Sequence, residues 1–407
     1  MNKKHVIIGV SAAGISMANN LRRLNSESEI ICISTEKEIP YNKCFLADHL
    51  SGLKSEDQVY TLTPDLCKKK NITLRLGVWV ERIVSQEKKI IISGGESISY
   101  DTLFIGTGSS PVIPDIKGVK AVKKGIFTFH TIADSQALLS LAKSKKGLRV
   151  VIVGAGLSGL ECADSLSEQG AHVFVVEMHN RVLFRQVDQQ GSDLIVKHML
   201  KQGISFYPEQ TVSEVLSDQK RTVSGVKLAS GLQLEADCVV FALGLRPNIG
   251  IVKGTDIELC NGGILTDDYM RTTVPNIYAG GDVACVKDQV SGERVLSCTW
   301  PDAMFQGMIA ANAVTGKPRI YPGVTLITSS SFFGLTFCAS GATAGPVVSG
   351  SNGYEIAKNA SEDNYCKILV KNGLVRGFLS VGASTNLARL KRALLSAQPI
   401  DIDQLLV

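Results

Sequence analysis

The chain has 407 residues, too many for one ordinary core, and its length alone implies about two to three domains. Hydrophobic residues make up 44% and charged residues 20%, which excludes a disordered or collagen-like chain. The net charge is +5 and the only basic run of three is Lys68-Lys69-Lys70, so nothing here argues for a nucleic-acid protein.

No stretch reaches the ~18 apolar residues that a membrane span requires. Val6 to Ala18, after Lys3-Lys4, is interrupted by Gly9 and Gly14 and has no signal-peptide cleavage site, so a cytoplasmic location is expected. The 10 cysteines form no C-x-x-C pair and no metal-type spacing, and no metal site is expected.

In chain order, residues 6–21 read V-I-I-G-V-S-A-A-G-I-S-M-A-N-N-L: apolar strand, glycine turn, helix. The turn runs Gly9, Val10, Ser11, Ala12, Ala13, Gly14, with serine where a middle glycine would stand. Serine is small enough for a phosphate to approach and adds a hydroxyl donor. The next strand, Ile30–Ile33, leads to Glu36, 22 residues past Gly14. Taken alone, this is equally a strand–helix–strand unit without a ligand. Tyr100–Gly108 follows as an apolar strand closed by two glycines around Thr107.

At residues 151–166 the pattern returns as V-I-V-G-A-G-L-S-G-L-E-C-A-D-S-L, at an offset of 145. It follows the strand Arg149–Val153, carries Gly154, Gly156 and Gly159, and opens a helix with apolar Leu157, Leu160, Ala163 and Leu166. Val173–Val176 then ends in Glu177, 18 residues after Gly159. Gly154 permits the tight turn, Gly156 lets the backbone approach a pyrophosphate, and Gly159 lets helix and strand pack closely. Free amides and a partial positive charge at the helix start favour phosphate, and Glu177 is placed to accept hydrogen bonds from a ribose diol. Two such units in one chain point to two nucleotide sites. Asp237–Asn248 and Val274–Ala284 are further buried-type strands ending in glycine, the form of a parallel strand whose carboxyl end faces a ligand crevice.

These motifs together resemble a two-dinucleotide flavoprotein of the pyridine nucleotide–disulfide oxidoreductase superfamily, over nearly the whole chain. The order Gly9–Gly14, Gly106-Thr107-Gly108, Gly154–Glu161, Gly280-Gly281-Asp282 carries the resemblance. Pro40-Tyr41-Asn42-Lys43, Trp300-Pro301-Asp302-Ala303 and Gln306-Gly307 make it most similar to the rubredoxin reductase, nitrite reductase flavin-subunit and NADH oxidase branch. The resemblance implies an α/β fold: two Rossmann-like three-layer dinucleotide-binding domains plus an α+β C-terminal interface domain. Residues 1–112 and 243–316 would bind FAD, 113–242 NAD(H), and 317–407 would form the C-terminal domain, with strands at Lys367–Val370 and Val375–Val381 and a helix near Asn386–Leu395. A homodimer would form through that last domain.

The resemblance also implies roles. Glu36 would bind the FAD adenosine ribose, Lys43 would contact FAD, and Thr107 and Gly108 would lie along it. Asp282 would hold the ribityl or pyrophosphate region. Trp300 would sit close to the isoalloxazine, or else in the core as aromatics often do. Glu161 would lie where nicotinamide meets flavin. Asp48 stands where related ferredoxin reductases carry a lysine; it either forms a two-acid pair with Glu161, raising one pKa, or turns to solvent.

Cys44 precedes Gly52 by 8 positions, the spacing of the single redox cysteine in NADH peroxidases, NADH oxidases and coenzyme A–disulfide reductases. Phe45 follows it in place of glycine, and the Gly9–Gly14 turn lacks the peroxidase histidine. Cys44 is therefore either a redox thiol cycling through sulfenic acid or mixed disulfide or a small packing residue. The expected activity is an FAD enzyme that takes hydride from NADH, with NADPH disfavoured. Electrons would leave to a small redox acceptor or electron-carrier protein: a rubredoxin-like protein, a disulfide or persulfide, or dioxygen. The alternative is a flavin-bound NADH sensor or scaffold with little turnover.

Overall fold

Lys4–Ile8 is a strand of mostly β-branched residues, buried along nearly its whole length. In this computed structural model, which describes residues 3–341, 343, 353–382, 387–396 and 398–399, it is the centre of a five-stranded parallel sheet. Glu29–Ile33 pairs on one side and Thr102–Ile105 on the other; Ile72–Arg75 and Ile277–Ala279 form the edges. Strands covered on both faces read as continuous apolar runs rather than alternating ones, which is why they were legible. The register sets Ile8 beside both Ile33 and Ile105, and Ile105 beside Ala279. Gly9, Glu36, Gly106–Gly108 and Gly280–Asp282 therefore leave the sheet at one edge. The chain departs from the central strand to one side and comes back on the other, which makes this edge the topological switch point.

This sheet belongs to a first unit made of residues up to Leu46, Lys54–Ser110 and Leu245–Thr325. The helix Ala12–Leu24 packs against Trp300–Val314 in its core. The two approach so closely that a Cβ on Gly307 would lie 2.2 Å from the Ala13 carbonyl oxygen. Ser16 Oγ donates to the Met304 carbonyl at 2.5 Å across the same contact. A small antiparallel sheet, Val80–Val84 with Lys89–Ile92 and Ser97–Ser99, contributes to a second core cluster of this unit.

His5 sits on the central strand at 1% exposure, and neither ring nitrogen has a hydrogen-bond partner among the described residues. Burial, then the nearby Lys3 charge, lower its pKa from 6.5 to about 4. A group that titrates lower when folded contributes stability above its unfolded pKa and loses it as pH falls through the folded one. The protein should therefore lose roughly 3 kcal/mol from this ring as pH drops from ~6.5 towards ~4. Urea unfolding of the His5→Val variant across that window should show a correspondingly flatter pH profile; an unaltered slope would remove His5 from the account.

The second unit comprises Ala47–Leu53, Pro111–Gly244 and Leu326 onward. It repeats the design: Arg149–Val153 is flanked in parallel by His172–Val176 and Cys238–Phe241, with Ser205–Tyr207 and Ile126–Thr128 outside. A three-stranded antiparallel sheet, Val212–Ser217, Val223–Leu228 and Gln233–Glu235, packs with it in one core cluster. The C-terminal part is a five-stranded antiparallel sheet, in the order Ile327–Phe332, Leu335–Gly341, Leu374–Val381, Tyr365–Lys371, Tyr354–Ala360, with the helix Leu387–Leu395. The expected strands lie inside Tyr365–Lys371 and Leu374–Val381; Asn386, the expected helix start, lies outside the described residues. The fold class is thus the α/β one expected, with two parallel-sheet halves and an antiparallel C-terminal sheet.

Asp188 ties that last sheet to the dinucleotide-type half. It caps the helix Gln189–Lys201 by accepting from Gly191 N at 3.2 Å. It also accepts from Tyr365 Oη at 2.8 Å and pairs with the buried Lys367 at 3.1 Å. Burial opposes ionisation of Asp188, yet these bonds hold its carboxyl below the usual carboxylate range. No helix among the described residues is long and apolar enough to cross a membrane.

Candidate functional site

In the first unit the glycine turn is fixed by contact, not only by conformation. Gly9 has φ +91°, and a Cβ there would lie 1.9 Å from the Gly106 carbonyl oxygen. A Cβ on Gly14 would lie equally close to the Gly9 oxygen. Ser11 is the N-cap of Ala12–Leu24 but its side chain makes no capping bond, so the hydroxyl and the first-turn amides are open to an anion.

Around this turn stand the other expected residues of the unit. Tyr41 Oη donates to Glu36 Oε2 at 2.6 Å, and Lys43 Nζ lies 3.5 Å from Glu36 Oε1. Thr107 Oγ1 donates to the Asn248 carbonyl at 2.9 Å, and Asn248 N to that of Gly108 at 2.9 Å, so both are locked against the Leu245–Pro247 strand's exit. Asp282 Oδ2 accepts from Ser109 Oγ at 2.6 Å. Burial raises the Asp282 pKa, while Ser109 and the Lys43 charge oppose the rise. Trp300 is half-buried at the start of its helix and packs on the unit's core.

Sequence reasoning gave no role to the network that holds the Gly281-Asp282 turn. Gln306, fully buried, accepts from Gly281 N at 2.7 Å and donates to Asp302 Oδ2 at 2.6 Å. Tyr321 Oη donates to Asp302 Oδ1 at 2.6 Å, and Ser297 Oγ also donates to Asp302. The available signal was two polar residues spaced i, i+4 on a mostly apolar helix.

In the second unit, Gly154 has φ +108° and a Cβ on it would meet the Ala242 carbonyl oxygen at 2.5 Å; one on Gly159 would meet Gly154 O at 2.1 Å. Gly156, the N-cap of Leu157–Glu168, has nothing within 4 Å of such a Cβ. Its missing side chain leaves open space at a helix start. Glu177 is buried beside this turn: Oε2 accepts from Ala155 N at 2.7 Å and Oε1 from His179 N at 2.9 Å. The side chains of His179 and Arg181 that follow are engaged. The His179 ring stacks on Phe184 at 3.8 Å, and the Arg181 guanidinium lies over the same ring and donates to the Val187 and Phe184 carbonyls.

Glu161, on the first turns of the same helix, accepts from Ser330 Oγ at 2.5 Å. Burial raises its pKa; Ser330 opposes and the Asp48 charge adds to the rise. Asp48 is half-buried in the same unit, and its charge reaches Glu161. Ser330, some 169 residues from Glu161, was not foreseen.

Cys44 is exposed within the 3-10 turn Lys43–Phe45, and Asn42 Oδ1 accepts its amide at 3.0 Å. The neighbouring Lys43 directs its ammonium towards Glu36, 3.5 Å away. The other exposed cysteine is Cys298, whose thiol burial and the Asp282 charge push up to about 12. The described residues hold no cluster of three or more His, Cys, Asp or Glu able to take a metal ion.

Comparison with known proteins agrees with this geometry. A profile of the pyridine nucleotide-disulphide oxidoreductase family matches residues 3–310. The chain is 34% identical over 324 residues to an NADH oxidase of Methanocaldococcus jannaschii, covering 78% of this chain and 71% of that protein. It is 30% identical over 346 residues to an NAD(P)H coenzyme A polysulfide/persulfide reductase of Pyrococcus horikoshii, covering 84% of this chain and 76% of the relative. Among solved structures it is similar to an NAD-dependent persulfide reductase from A. fulgidus, with TM-score 0.88 and 26% identity over 98% of this chain and 78% of that one. The family profile spans both glycine turns and the Gly280-Gly281-Asp282 turn, and the chain belongs to the pyridine nucleotide-disulphide oxidoreductase family.

Proposed function

We propose that the protein is an FAD-dependent oxidoreductase that takes hydride from NADH and hands electrons to a small acceptor. The observation that carries this is the doubled turn. Two parallel sheets each end in glycines that no other residue can replace without a backbone clash, and each is followed by an acid, Glu36 or Glu177. The first cradle fits a flavin dinucleotide: open helix amides at Ser11–Gly14 for the pyrophosphate, Glu36 for the adenosine ribose, and Thr107, Gly108, Asp282 and Lys43 along its length, with the Trp300 indole at the ring end. Bound there, flavin supplies a carrier that takes electrons in pairs and releases them singly or in pairs. The protein's part is to orient, to exclude water and to hold charge beside it.

In the second unit, Gly154, Gly156 and Gly159 would take the nicotinamide dinucleotide's pyrophosphate, Glu177 its adenosine ribose, and Glu161 would face the nicotinamide end. The corresponding domains are 1–112 with 243–316, 113–242, and 317–407. Glu177 should select NADH, because a carboxylate accepts from a 2′-hydroxyl and repels a 2′-phosphate. Arg181 and His179 offer little to a phosphate while they are spent on carbonyls and on Phe184. We expect kcat/KM for NADH to exceed that for NADPH by about tenfold or more; equal values at one ionic strength would refute the assignment.

The deciding experiment is anaerobic titration of the purified protein with NADH, followed by an acceptor screen. Yellow protein that bleaches on addition of NADH and recovers with a rubredoxin-like iron protein, a persulfide or disulfide, or dioxygen supports the proposal. Colourless protein that cannot be reconstituted with FAD overturns it. Slow turnover with every acceptor, together with a change of oligomeric state on reduction, would favour the sensor instead.

A further inference from the structure

Gly281 lies against the first glycine turn: a Cβ on it would come within 3.3 Å of the Ala13 Cβ. The Ser11–Gly14 and Gly281-Asp282 turns are therefore packed on one another, and one helix serves both. Gly307 of Trp300–Val314 is pressed on the Ala13 carbonyl, and Gln306 beside it accepts from Gly281 N at 2.7 Å. A backbone N–H can only donate, so Gly281 fixes which way the Gln306 amide faces: Oε1 towards the turn, Nε2 away from it. Nε2 then meets Asp302 Oδ2 at 2.6 Å and lies 3.4 Å from Tyr321 Oη. Tyr321 Oη donates to Asp302 Oδ1 at 2.6 Å, and Ser297 Oγ donates to Oδ2. One half-buried carboxylate thus receives three donors. All these groups lie in the first unit.

We propose that Asp302 is a positioning residue for FAD: by accepting from Gln306 it keeps an acceptor facing Gly281, and so holds the Gly281-Asp282 turn against the Ser11–Gly14 turn. This rests on FAD lying in that cradle. Burial works against charge at Asp302, while Ser297, Tyr321 and Gln306 oppose it. If Asp302 and Gln306 merely filled space, exchanging carboxylate and carboxamide would change nothing, because the two groups have nearly the same shape. If they hold the turn by polarity, the exchange has a definite signature.

Gln306→Glu keeps the shape and sets a second carboxyl against Asp302, across a contact that is 2.6 Å long in the parent. Two carboxyls this close share one proton and do not ionise together. While they share it, the new side chain still accepts from Gly281 N. Once it leaves, like charges part and the turn is released. The proton belongs to the held form, whose pKa is the raised one, so FAD is held at low pH and lost as pH rises. Adding Asp302→Asn returns a donor opposite position 306 and removes the pH dependence. The other ionisable groups around the pair are Tyr321 with Asp288 behind it, Asp282 and Cys298 at the turn, and Arg22 and Arg23 at the far end of Ala12–Leu24. The parent carries all of them, so its own profile is the reference.

The test is release of FAD from the diluted full-length holoprotein, followed by flavin fluorescence from about pH 6 to about pH 9. The parent should release FAD at one rate throughout. Gln306→Glu should match it near the acid end and release about tenfold faster or more near the alkaline end. Gln306→Glu combined with Asp302→Asn should return to the parent rate at both ends. A Gln306→Glu protein that keeps FAD like the parent at the alkaline end overturns the proposal, as does a double variant without recovery. Should Gln306→Glu alone fail to fold, the double variant decides: folded protein with parent-like release supports the proposal, and continued failure overturns it. A parent that carries no FAD is a separate and recognisable failure, that of the FAD reading itself.

Discussion

Gly154→Ala should leave the second unit unable to fold, whereas Gly156→Ala should fold like the parent and lose its hold on the dinucleotide. The two glycines are separated by Ala155 alone, and their surroundings are opposite. At Gly154 a methyl group would stand 2.5 Å from the Ala242 carbonyl oxygen, on a backbone with φ +108°. Neither the strand nor its neighbour can yield without breaking the sheet, so a loss of about 3 kcal/mol or more is expected. At Gly156 φ is −76°, an ordinary value, and a methyl would touch nothing. Stability should change by no more than about 0.5 kcal/mol. The same methyl would project where a pyrophosphate has to meet the helix amides, so the Kd for NAD+ should rise about tenfold or more, roughly 1.4 kcal/mol. Thermal melts and calorimetry on both variants separate the outcomes. Undiminished NAD+ binding by a stable Gly156→Ala protein would show that the open space at this turn is not where the phosphates sit.

That contrast also shows what the residues alone disclose. Gly9, Gly154 and the strands before them were legible because a buried parallel strand ending in a glycine turn is a local pattern, set by backbone sterics within about ten residues. Glu36 and Glu177 were legible for the same reason, as the ends of the next strands. What stayed hidden depends on partners distant in sequence. Ser330 reaches Glu161 across 169 positions and Ser109 reaches Asp282 across 173. The docking of Ala47–Leu53 on Ser165 and Gln169 spans 118, so no periodicity foretells that this stretch leaves the unit of its neighbours in sequence. The approach of Lys43 to Glu36 and its charge on Asp282 were not foreseen either, because the direction of its ammonium is a competition between carboxylates that only the packed structure decides.

Cys44→Ser should remove two reducing equivalents per subunit and nearly all turnover with disulfide or persulfide acceptors, while reduction by NADH stays within about twofold of the parent. Exchange needs an accessible thiol, since attack on a sulfur must be in line and unhindered. Cys44 and Cys298 are the exposed cysteines; the rest are buried or partly so. Cys298 lies in the field of Asp282, which together with burial holds its thiol up to about 12, unreactive near neutrality. Cys32, Cys67, Cys162, Cys238 and Cys285 are likewise raised by burial. Cys44 is the thiol that exposure leaves suited to exchange. Its amide is pinned by Asn42, so its backbone is held at an exposed position. The chemistry balances without other reagents. The Cys44 thiolate attacks one sulfur of an acceptor disulfide, forming a mixed disulfide and releasing one thiolate. Two electrons from NADH then cleave the new bond, restoring the Cys44 thiolate and releasing the second thiol with a proton from solvent. Serine cannot form the sulfur–sulfur bond, so turnover with such acceptors should fall about a hundredfold or more, and anaerobic titration should consume one NADH fewer per subunit when the native protein is isolated in the mixed-disulfide state. Cys298→Ser, treated in parallel, should keep both properties. If Cys44→Ser turns over disulfides and persulfides at the parent rate, the thiol is a packing residue and electrons leave directly to a one-electron carrier or to dioxygen.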